Sequence, residues 1–404
     1  MKTIVVGGGA SGMISAIFQA RNGNEVTLIE KNEKLGKKLY ITGKGRCNLT
    51  NHCSPEEVLF NVVSNPKFLM GAVNTFSPSD VMSFFEEIGL TLKTERGNRV
   101  FPVSDKSSDV IKVLERELNR LNVNVNFNET AKSLIVDGNR IIGIITDKNE
   151  YFADKVIVAT GGLSYPSTGS TGDGYTFAKT VGHAVTSLYP SLCGINLKGS
   201  DFKELQGLTL KNVKVSLYDG NKPYYEEQGE MLFTHYGVSG PLILTGSALT
   251  ARHKQNGVKL LIDFKPALSQ KQLDQRILRD FQSANNKELK NVLIELLPKT
   301  AIPLIIKRAN VSEYKKVSII TSEERARLVY ALKNCEFEVE SLRGYNEAVI
   351  TSGGISVKEI NPKTMESKLI SGLYFVGEVL DVDAFTGGFN LQIAFSTGYL
   401  AGIQ

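Results

Sequence analysis

The 404-residue sequence predicts an α/β fold in which a parallel-sheet domain is interrupted by inserted strands and helices, and three observations predict it. A β-branched run, Thr3-Ile4-Val5-Val6, enters Gly7-Gly8-Gly9-Ala10-Ser11-Gly12. A second apolar run, Val26 to Ile29, closes on Glu30. From about Leu192 the pattern turns to short strands, then to helical periodicity up to Cys335, before strand-like sequence returns. The first two observations read as the strand–turn–helix–strand opening of a Rossmann-like domain. Gly-x-Gly-x-x-Gly spacing lets the backbone turn tightly, approach a pyrophosphate and pack the helix on the sheet. The helix N-terminus then offers unpaired N–H groups and partial positive charge to the phosphates. Glu30, eighteen residues after Gly12, can accept from the ribose hydroxyls and would repel a 2′-phosphate. Gly7, Gly9, Ala10, Ser11, Gly12 and Glu30 are therefore candidate contacts for the ADP half of a dinucleotide.

Composition narrows the class. Hydrophobic residues make up 42% and charged residues 22% of the chain, as in an ordinary globular protein. No apolar run is long enough to span a bilayer, and the first residues enter a strand rather than a signal peptide, so a cytoplasmic setting is expected. Cys47, Cys53, Cys193 and Cys335 are too scattered for a disulfide framework. Cys47, His52 and Cys53 lack the second short-spaced pair that a zinc site needs, and no metal is expected. The net charge is +5, and much of it gathers at Lys31, Lys34, Lys37, Lys38, Lys44 and Arg46. That stretch can serve cofactor phosphates or be a solvated face; without a recognisable nucleic-acid module, a nucleic-acid partner is not expected.

Further along, Leu35–Asn51 reads as a Gly-, Lys- and Asn-rich loop. Helices are expected over Ser79–Ile88 and Asp109–Leu121. Strands follow at 123–127, 133–136 and 140–146, the last two joined at Asp137-Gly138-Asn139 as a hairpin. Lys155 to Ala159 is another buried strand, ending on Thr160-Gly161-Gly162. Val213–Leu217 before Asp219-Gly220-Asn221, and Val258–Phe264, suggest a small antiparallel unit. Ser269-x-x-Gln272 and Thr321-x-x-Glu324 are capping boxes of a helical insert, with Leu273, Ile277 and Phe281 on one face. The expected division is 1–191, 192–265 with 336–352 returning through the β-unit, 266–335 and 353–404.

The C-terminus carries a second constellation: Leu373 to Val376, then Gly377-Glu378, then Asp383 to Gln392 with a Gly387-Gly388 turn, then a helix-compatible run. A strand end here supplies an acid near a polyol chain or phosphate. The Gly-Gly turn allows backbone to lie against a flat ring, and the helix N-terminus at Gly388, Asn390, Leu391 and Gln392 can face that ring's electron-rich edge. In a flavin that edge is N1 and the C2 carbonyl.

With these residues in view, the chain resembles the BaiN-like, aminoacetone-oxidase-like group of bacterial NAD(P)/FAD-dependent oxidoreductases. Five ordered blocks carry the resemblance: Val6–Gly12, Lys37–Asn51, Ala159–Tyr175, Glu230–Pro241 and Gly377–Gly402. It implies FAD in a two-part Rossmann-like domain interrupted by a β-barrel and a helical insert. It also implies that Gly43–Asn48, including Gly45, Arg46, Cys47 and Asn48, and Gly353-Gly354 approach the flavin. Thr160-Gly161 would sit beside the ADP moiety, and Ala131 would contact adenine through its backbone. Related folds often carry Asp where this chain has Glu378.

Hydride delivery from a reduced flavin requires an oriented substrate and a proton donor. His235, Tyr236, Tyr165 and Cys47 are candidate donors; His235 alone has an ordinary pKa near neutrality, and its alternative is a satisfied structural histidine. Arg46 can hold an anionic substrate or a pyrimidine oxygen through its forked donors, the alternative being a surface charge near the pyrophosphate. Cys47 lacks the Cys-x-x-Cys partner of disulfide reductases. No second Gly-x-Gly-x-x-Gly follows a strand, so NADH or NADPH would visit transiently. The expected activity is NAD(P)H-driven reduction of an activated C=C bond in a small organic substrate. The alternatives are an amine or amino-ketone oxidase using O2, and a flavin-bearing RNA-binding or RNA-modifying protein.

Overall fold

A computed structural model describes residues 1–251, 253 and 257–404. The chain divides into two compact units, Met1–Ser191 with Gly344–Gln404, and Leu192–Arg343.

The first unit is built on a five-stranded parallel sheet in the order 373–375, 155–158, 2–6, 25–29 and 124–126. Val156, Ile157 and Val158 and their neighbours Ile4, Val5 and Val6 are buried, which is why these strands read as unbroken apolar runs. Strand order reverses between Lys2–Val6 and Lys155–Val158, so a crevice opens beyond their carboxyl ends, where such sheets take ligands. Gly7 and Ala159, the first residues past those strands, stand at this switch point. The helix Ala10–Arg21 leaves the first strand and packs along the last helix, Phe389–Gly402. Contact is close because Gly398 and Gly402 have no side chains: an added Cβ at Gly398 would lie 2.5 Å from the Ser11 carbonyl oxygen, and one at Gly402 2.7 Å from Phe18 Cβ. Ser15 Oγ donates to the Gly398 carbonyl at 2.9 Å, and Gln19 Nε2 to the Ala401 carbonyl at 2.7 Å.

The helices Pro78–Glu87 and Ser107–Arg120 and the hairpin Ala131–Asp137/Arg140–Thr146 occupy the expected stretches. Two features of this unit differ from expectation. Within Leu35–Asn51 the chain forms a helix, Lys37–Ile41, followed by a left-handed turn and a short strand, Thr50–Asn51, paired with Arg99–Pro102. Ile350–Ser352 pairs with Tyr189–Ser191 in a separate two-stranded sheet, so the return through the barrel ends before it. A buried three-residue strand reads alike in either sheet, and only pairing decides between them.

In the second unit, six strands close a barrel in the order 195–197, 237–239, 222–234, 209–219, 258–263 and 335–342. Asp219 pairs with Lys222 across the expected turn. The helices Gln270–Ser283 and Ser322–Lys333 begin with the capping boxes at Ser269/Gln272 and Thr321/Glu324, and Leu273, Ile277 and Phe281 form the buried face. An α/β chain with a Rossmann sheet and a closed barrel is thus the observed fold.

Phe395, fully buried on the last helix, meets Phe85 edge-on at 5.3 Å. Phe395→Ala should lower unfolding free energy by about 3–5 kcal/mol in urea denaturation. A loss under about 1 kcal/mol would mean the helix is not anchored as described.

Candidate active site

The glycine fingerprint is enforced by contact. An added Cβ at Gly7, whose φ is +103°, would lie 2.6 Å from the Ala159 carbonyl oxygen, and one at Gly12 only 1.9 Å from the Gly7 carbonyl oxygen. At Gly9, by contrast, an added Cβ would meet nothing within 4 Å. Gly7 and Gly12 therefore make the turn possible, and Gly9 leaves space in front of the N-terminal turn that begins at Ala10 and Ser11. No side chain caps that helix, so its first N–H groups are available to an anion.

Glu30 is buried and oriented. Its Oε2 accepts from Gly8 N–H at 2.8 Å, and its Oε1 from Asn32 N–H at 2.8 Å and Asn32 Nδ2 at 2.6 Å. Three of a carboxylate's roughly four acceptor positions are used, leaving one for a ribose hydroxyl rather than a pair. The segment carrying Ala131 comes alongside, since Glu129 N–H donates to the Glu30 carbonyl at 3.1 Å and Asn128 N–H to that of Asn32 at 3.0 Å. Across the switch point, Thr160 Oγ1 is buried without a hydrogen-bond partner, and Gly161, at φ +71°, leaves room for Ser170 Oγ.

Three lysines of the basic stretch are tied within this unit. Lys31 Nζ donates to Thr171 Oγ1 at 2.6 Å and Asp173 Oδ2 at 2.7 Å. Lys37 reaches Glu33 and Asn32. Lys38 Nζ bridges Ser164 Oγ and Glu378 Oε2. Glu378 Oε1 in turn accepts from Thr351 N–H at 2.9 Å and Ser164 Oγ at 2.7 Å. Lys38 and Glu378, 340 positions apart, are thus brought into one network. Gly377, at φ +74°, precedes this acid, its N–H held by Thr397 Oγ1 at 3.0 Å.

At the last helix, Gly388 (φ +102°) lies against the Thr50 backbone, where an added Cβ would approach to 2.5 Å. The side chains beyond it serve the protein: Asn390 clasps both backbone groups of Ala384, and Gln392 is buried between Phe76 and Thr50. The Asn390 and Gln392 side chains are thus taken up within the protein. Gly354 packs against Leu380 and Asp381, with its N–H on Thr186 Oγ1 at 3.0 Å.

The segment Thr42–Asn48 is the most constrained. Gly43, Lys44 and Gly45 are all left-handed, as is Cys47 at φ +59°; for a non-glycine residue that conformation costs roughly 1–2 kcal/mol. An added Cβ at Gly45 would meet nothing within 4 Å, and Asn48 Oδ1 is buried without a hydrogen-bond partner. Arg46 turns its Nε and Nη2 donors to carboxylates of the protein itself. Its Nη2 contacts Glu95 Oε1 and Asp105 Oδ1, both at 2.5 Å, its Nε contacts Asp105 Oδ1 at 2.9 Å, and its plane lies 4.2 Å from the Phe101 ring centroid. Lys93 completes the group at 2.7 Å from Asp105 Oδ2. Hydrogen bonding to Arg46 holds the Glu95 carboxyl below its usual range, and bonding to Lys93 and Arg46 does the same for Asp105. Cys47 is fully buried, and burial pushes its thiol up to about 12, which argues against thiolate chemistry. His235 lies in the second unit, exposed on the turn between Lys222–Thr234 and Gly237–Ser239, with its ring edge-on to Tyr236 at 5.0 Å. Among the described residues no three His, Cys, Asp or Glu side chains gather as metal ligands.

Sequence reasoning missed Asn32, Ser164, Thr351, Glu95 and Asp105. Asn32 and Ser164 stand in or beside the motifs already singled out; the others lie far from their partners in sequence and carry no local signal.

A parallel sheet with a glycine turn and an acid at its switch point defines a dinucleotide-binding fold, and comparison with known proteins puts the chain among FAD-dependent oxidoreductases. The family model described as the HI0933-like protein Rossmann domain matches residues 1–404, and the chain belongs to that family. It is 32% identical over 402 residues to the 3-dehydro-bile acid delta(4,6)-reductase of Clostridium scindens, covering 98% of this chain and 97% of that one. It is 30% identical over 409 residues to the ribosomal RNA dihydrouridine synthase of Haemophilus influenzae, covering 100% and 98%. Among solved structures, the 3-ketosteroid-Δ4-(5α)-dehydrogenase of Rhodococcus jostii RHA1 shares the fold, with a TM-score of 0.55 at 16% identity over 99% of this chain and 95% of that one.

The cysteines give a direct check. Cys47, Cys193 and Cys335 are buried, and Cys53 is half-buried with its thiol raised to about 11 by burial. Because a raised thiol pKa disfavours thiolate, DTNB at mildly alkaline pH should label the native protein slowly, at Cys53 first, with Cys47 reacting only on unfolding. Rapid labelling of Cys47 near neutrality would contradict its burial.

Proposed function

We propose that this chain binds FAD and uses reducing equivalents from NADH or NADPH to saturate a C=C bond conjugated to a carbonyl. The observation that carries the reading is shared chemistry in the two full-length relatives. A 3-dehydro-bile acid delta(4,6)-reductase acts on double bonds in line with a 3-ketone, and a dihydrouridine synthase saturates a pyrimidine double bond beside a carbonyl.

The residues present fit the cofactor. Open space before Gly9, the buried unpartnered Thr160 Oγ1 and Asn48 Oδ1, and glycines that no side chain could replace are what a bound dinucleotide would use. In this reading the N–H groups at Gly9, Ala10, Ser11 and Gly12 hold the pyrophosphate, beside the turn at Gly7, and Glu30 holds the adenosine ribose. Thr160, Gly161 and the backbone at Ala131 border the adenosine, with Lys31 alongside. Glu378, held by Lys38 and placed after Gly377, takes a hydroxyl of the ribityl chain. Gly45, Asn48, Gly354, Gly388 and the backbone N–H groups at Asn390 and Leu391 border the ring. FAD held there and reduced by the nicotinamide would supply hydride to the electron-poor carbon of the conjugated bond, with the balancing proton drawn from solvent. The helix N-terminus at Gly388 stabilises negative charge at the ring edge.

A second reading keeps the reaction and changes the substrate to a uracil ring in ribosomal RNA, and the relative from Haemophilus influenzae favours it. Four basic side chains of the 31–46 stretch are engaged within the protein, so that stretch is a poor strip for phosphates.

Anaerobic stopped-flow on the FAD-loaded protein tests both readings. NADH or NADPH should bleach the flavin, and a 3-keto-4-ene steroid or a uridine-containing rRNA fragment should reoxidise it faster than air does. Reoxidation by the steroid selects the small-molecule reading and by the RNA the second. A flavin that is bleached by amines and not by nicotinamides, and reoxidised by oxygen alone, would overturn both in favour of an oxidase.

A further inference from the structure

The turn at Gly43–Gly45 is the feature least explained by its own sequence. Left-handed residues ordinarily occur singly, and a run of three followed by left-handed Cys47 persists only where surroundings over-determine it. Inside the segment, Arg46 N–H donates to the Gly43 carbonyl at 3.3 Å and Cys47 N–H to that of Thr42 at 3.1 Å. Outside it, Arg46 ties the turn to the hairpin of Leu92–Glu95 and Arg99–Pro102, through Glu95 and the Phe101 face, and to Asp105 just beyond. Lys93 is shared between the same two carboxylates, at 2.7 Å from Asp105 and 3.5 Å from Glu95. Two cations and two anions therefore close a neutral ring around one guanidinium. On its far side the segment runs into Thr50 and Asn51, which meet Gly388 and Gly387 at the start of the last helix.

We infer that Arg46 is a positioning residue: with Lys93, Glu95, Asp105 and Phe101 it clamps the left-handed turn in the shape that brings Gly45 and Asn48 to the flavin. The inference rests on the FAD reading above and is set against a direct role for Arg46 in holding substrate or pyrimidine oxygen, because its Nε and Nη2 donors, one side of the fork, face Glu95 and Asp105. A planar fork suits this task and an ammonium does not. The pairs are about a third exposed, so the clamp is sensitive to salt.

The test compares FAD binding by the wild-type chain, the double variant Glu95→Gln/Asp105→Asn, Arg46→Ala and Arg46→Lys, with thermal unfolding of each apoprotein alongside. The double variant keeps Arg46 and loses its anchors. It should unfold close to wild type, yet bind FAD roughly tenfold or more weakly, the scale for losing a positioning partner. The absorption bands of its bound flavin should also shift, a change that a purely structural loss would not cause. Arg46→Lys should resemble it. Raising NaCl to about 1 M should weaken FAD binding more in wild type than in the double variant or Arg46→Lys, the excess being the clamp's share beyond screening of the pyrophosphate itself. Weak binding in Arg46→Ala with normal binding in the double variant would overturn the clamp in favour of direct contact. Normal binding and spectra in all variants would overturn it in favour of a surface charge. A wild-type chain that takes up no FAD would defeat the FAD reading itself, before any variant is compared.

Discussion

An added methyl at Gly12 would stand 1.9 Å from the Gly7 carbonyl oxygen, so the first helix can leave the sheet at its observed angle only because that position has no side chain. The rest of the first unit inherits this constraint. The angle sets the groove between Ala10–Arg21 and Phe389–Gly402, which Gly398 and Gly402 deepen and Ser15 and Gln19 fasten. The start of the last helix is thereby fixed, and Gly388 can rest on Thr50. Thr50 terminates the left-handed segment that holds Asn48. One close backbone approach at the switch point thus registers the two ends of the chain, about 390 residues apart in sequence, against one crevice.

Electrostatics around that crevice are satisfied internally. Glu30 is held by Gly8 and Asn32, Glu378 by Lys38, Ser164 and Thr351, and Arg46 by Glu95 and Asp105. Such pairs contribute little to stability when exposed. Their value lies in fixing side chains and loops before a ligand arrives, which lowers the ordering cost of binding. Against this background two of the buried, unpartnered oxygens, Asn48 Oδ1 and Thr160 Oγ1, stand out. Ser191 Oγ and Thr234 Oγ1 are also buried without a partner, but they lie outside the segments that the glycine turns shape.

Much of this is legible in the sequence because the signals are local. Runs of β-branched residues announce buried parallel strands, as at Thr3–Val6 and Lys155–Val158, and the capping residues Ser269 and Thr321 mark helix starts by chemistry confined to one turn. Ile350–Ser352 cannot be assigned to its sheet from sequence because pairing partners are a tertiary choice. The helix Lys37–Ile41 escapes because a Gly- and Lys-rich stretch has weak periodicity, and its start at left-handed Gly36 is set by neighbours. Arg46 stands out by residue type, yet its partners Glu95 and Asp105, 49 and 59 residues away, leave no trace in its local sequence. Residue types disclose the chemistry, while commitments between side chains need the fold.

The central claim is a dinucleotide site whose ADP half is anchored at Gly7–Gly12 and Glu30. Equilibrium titration of the apoprotein with FAD and with FMN, followed by quenching of flavin fluorescence, tests it most directly. One FAD should bind per chain, with FMN weaker by roughly a hundredfold or more because it lacks the half that these residues hold. Equal affinity for the two flavins, or none for FAD, would contradict it.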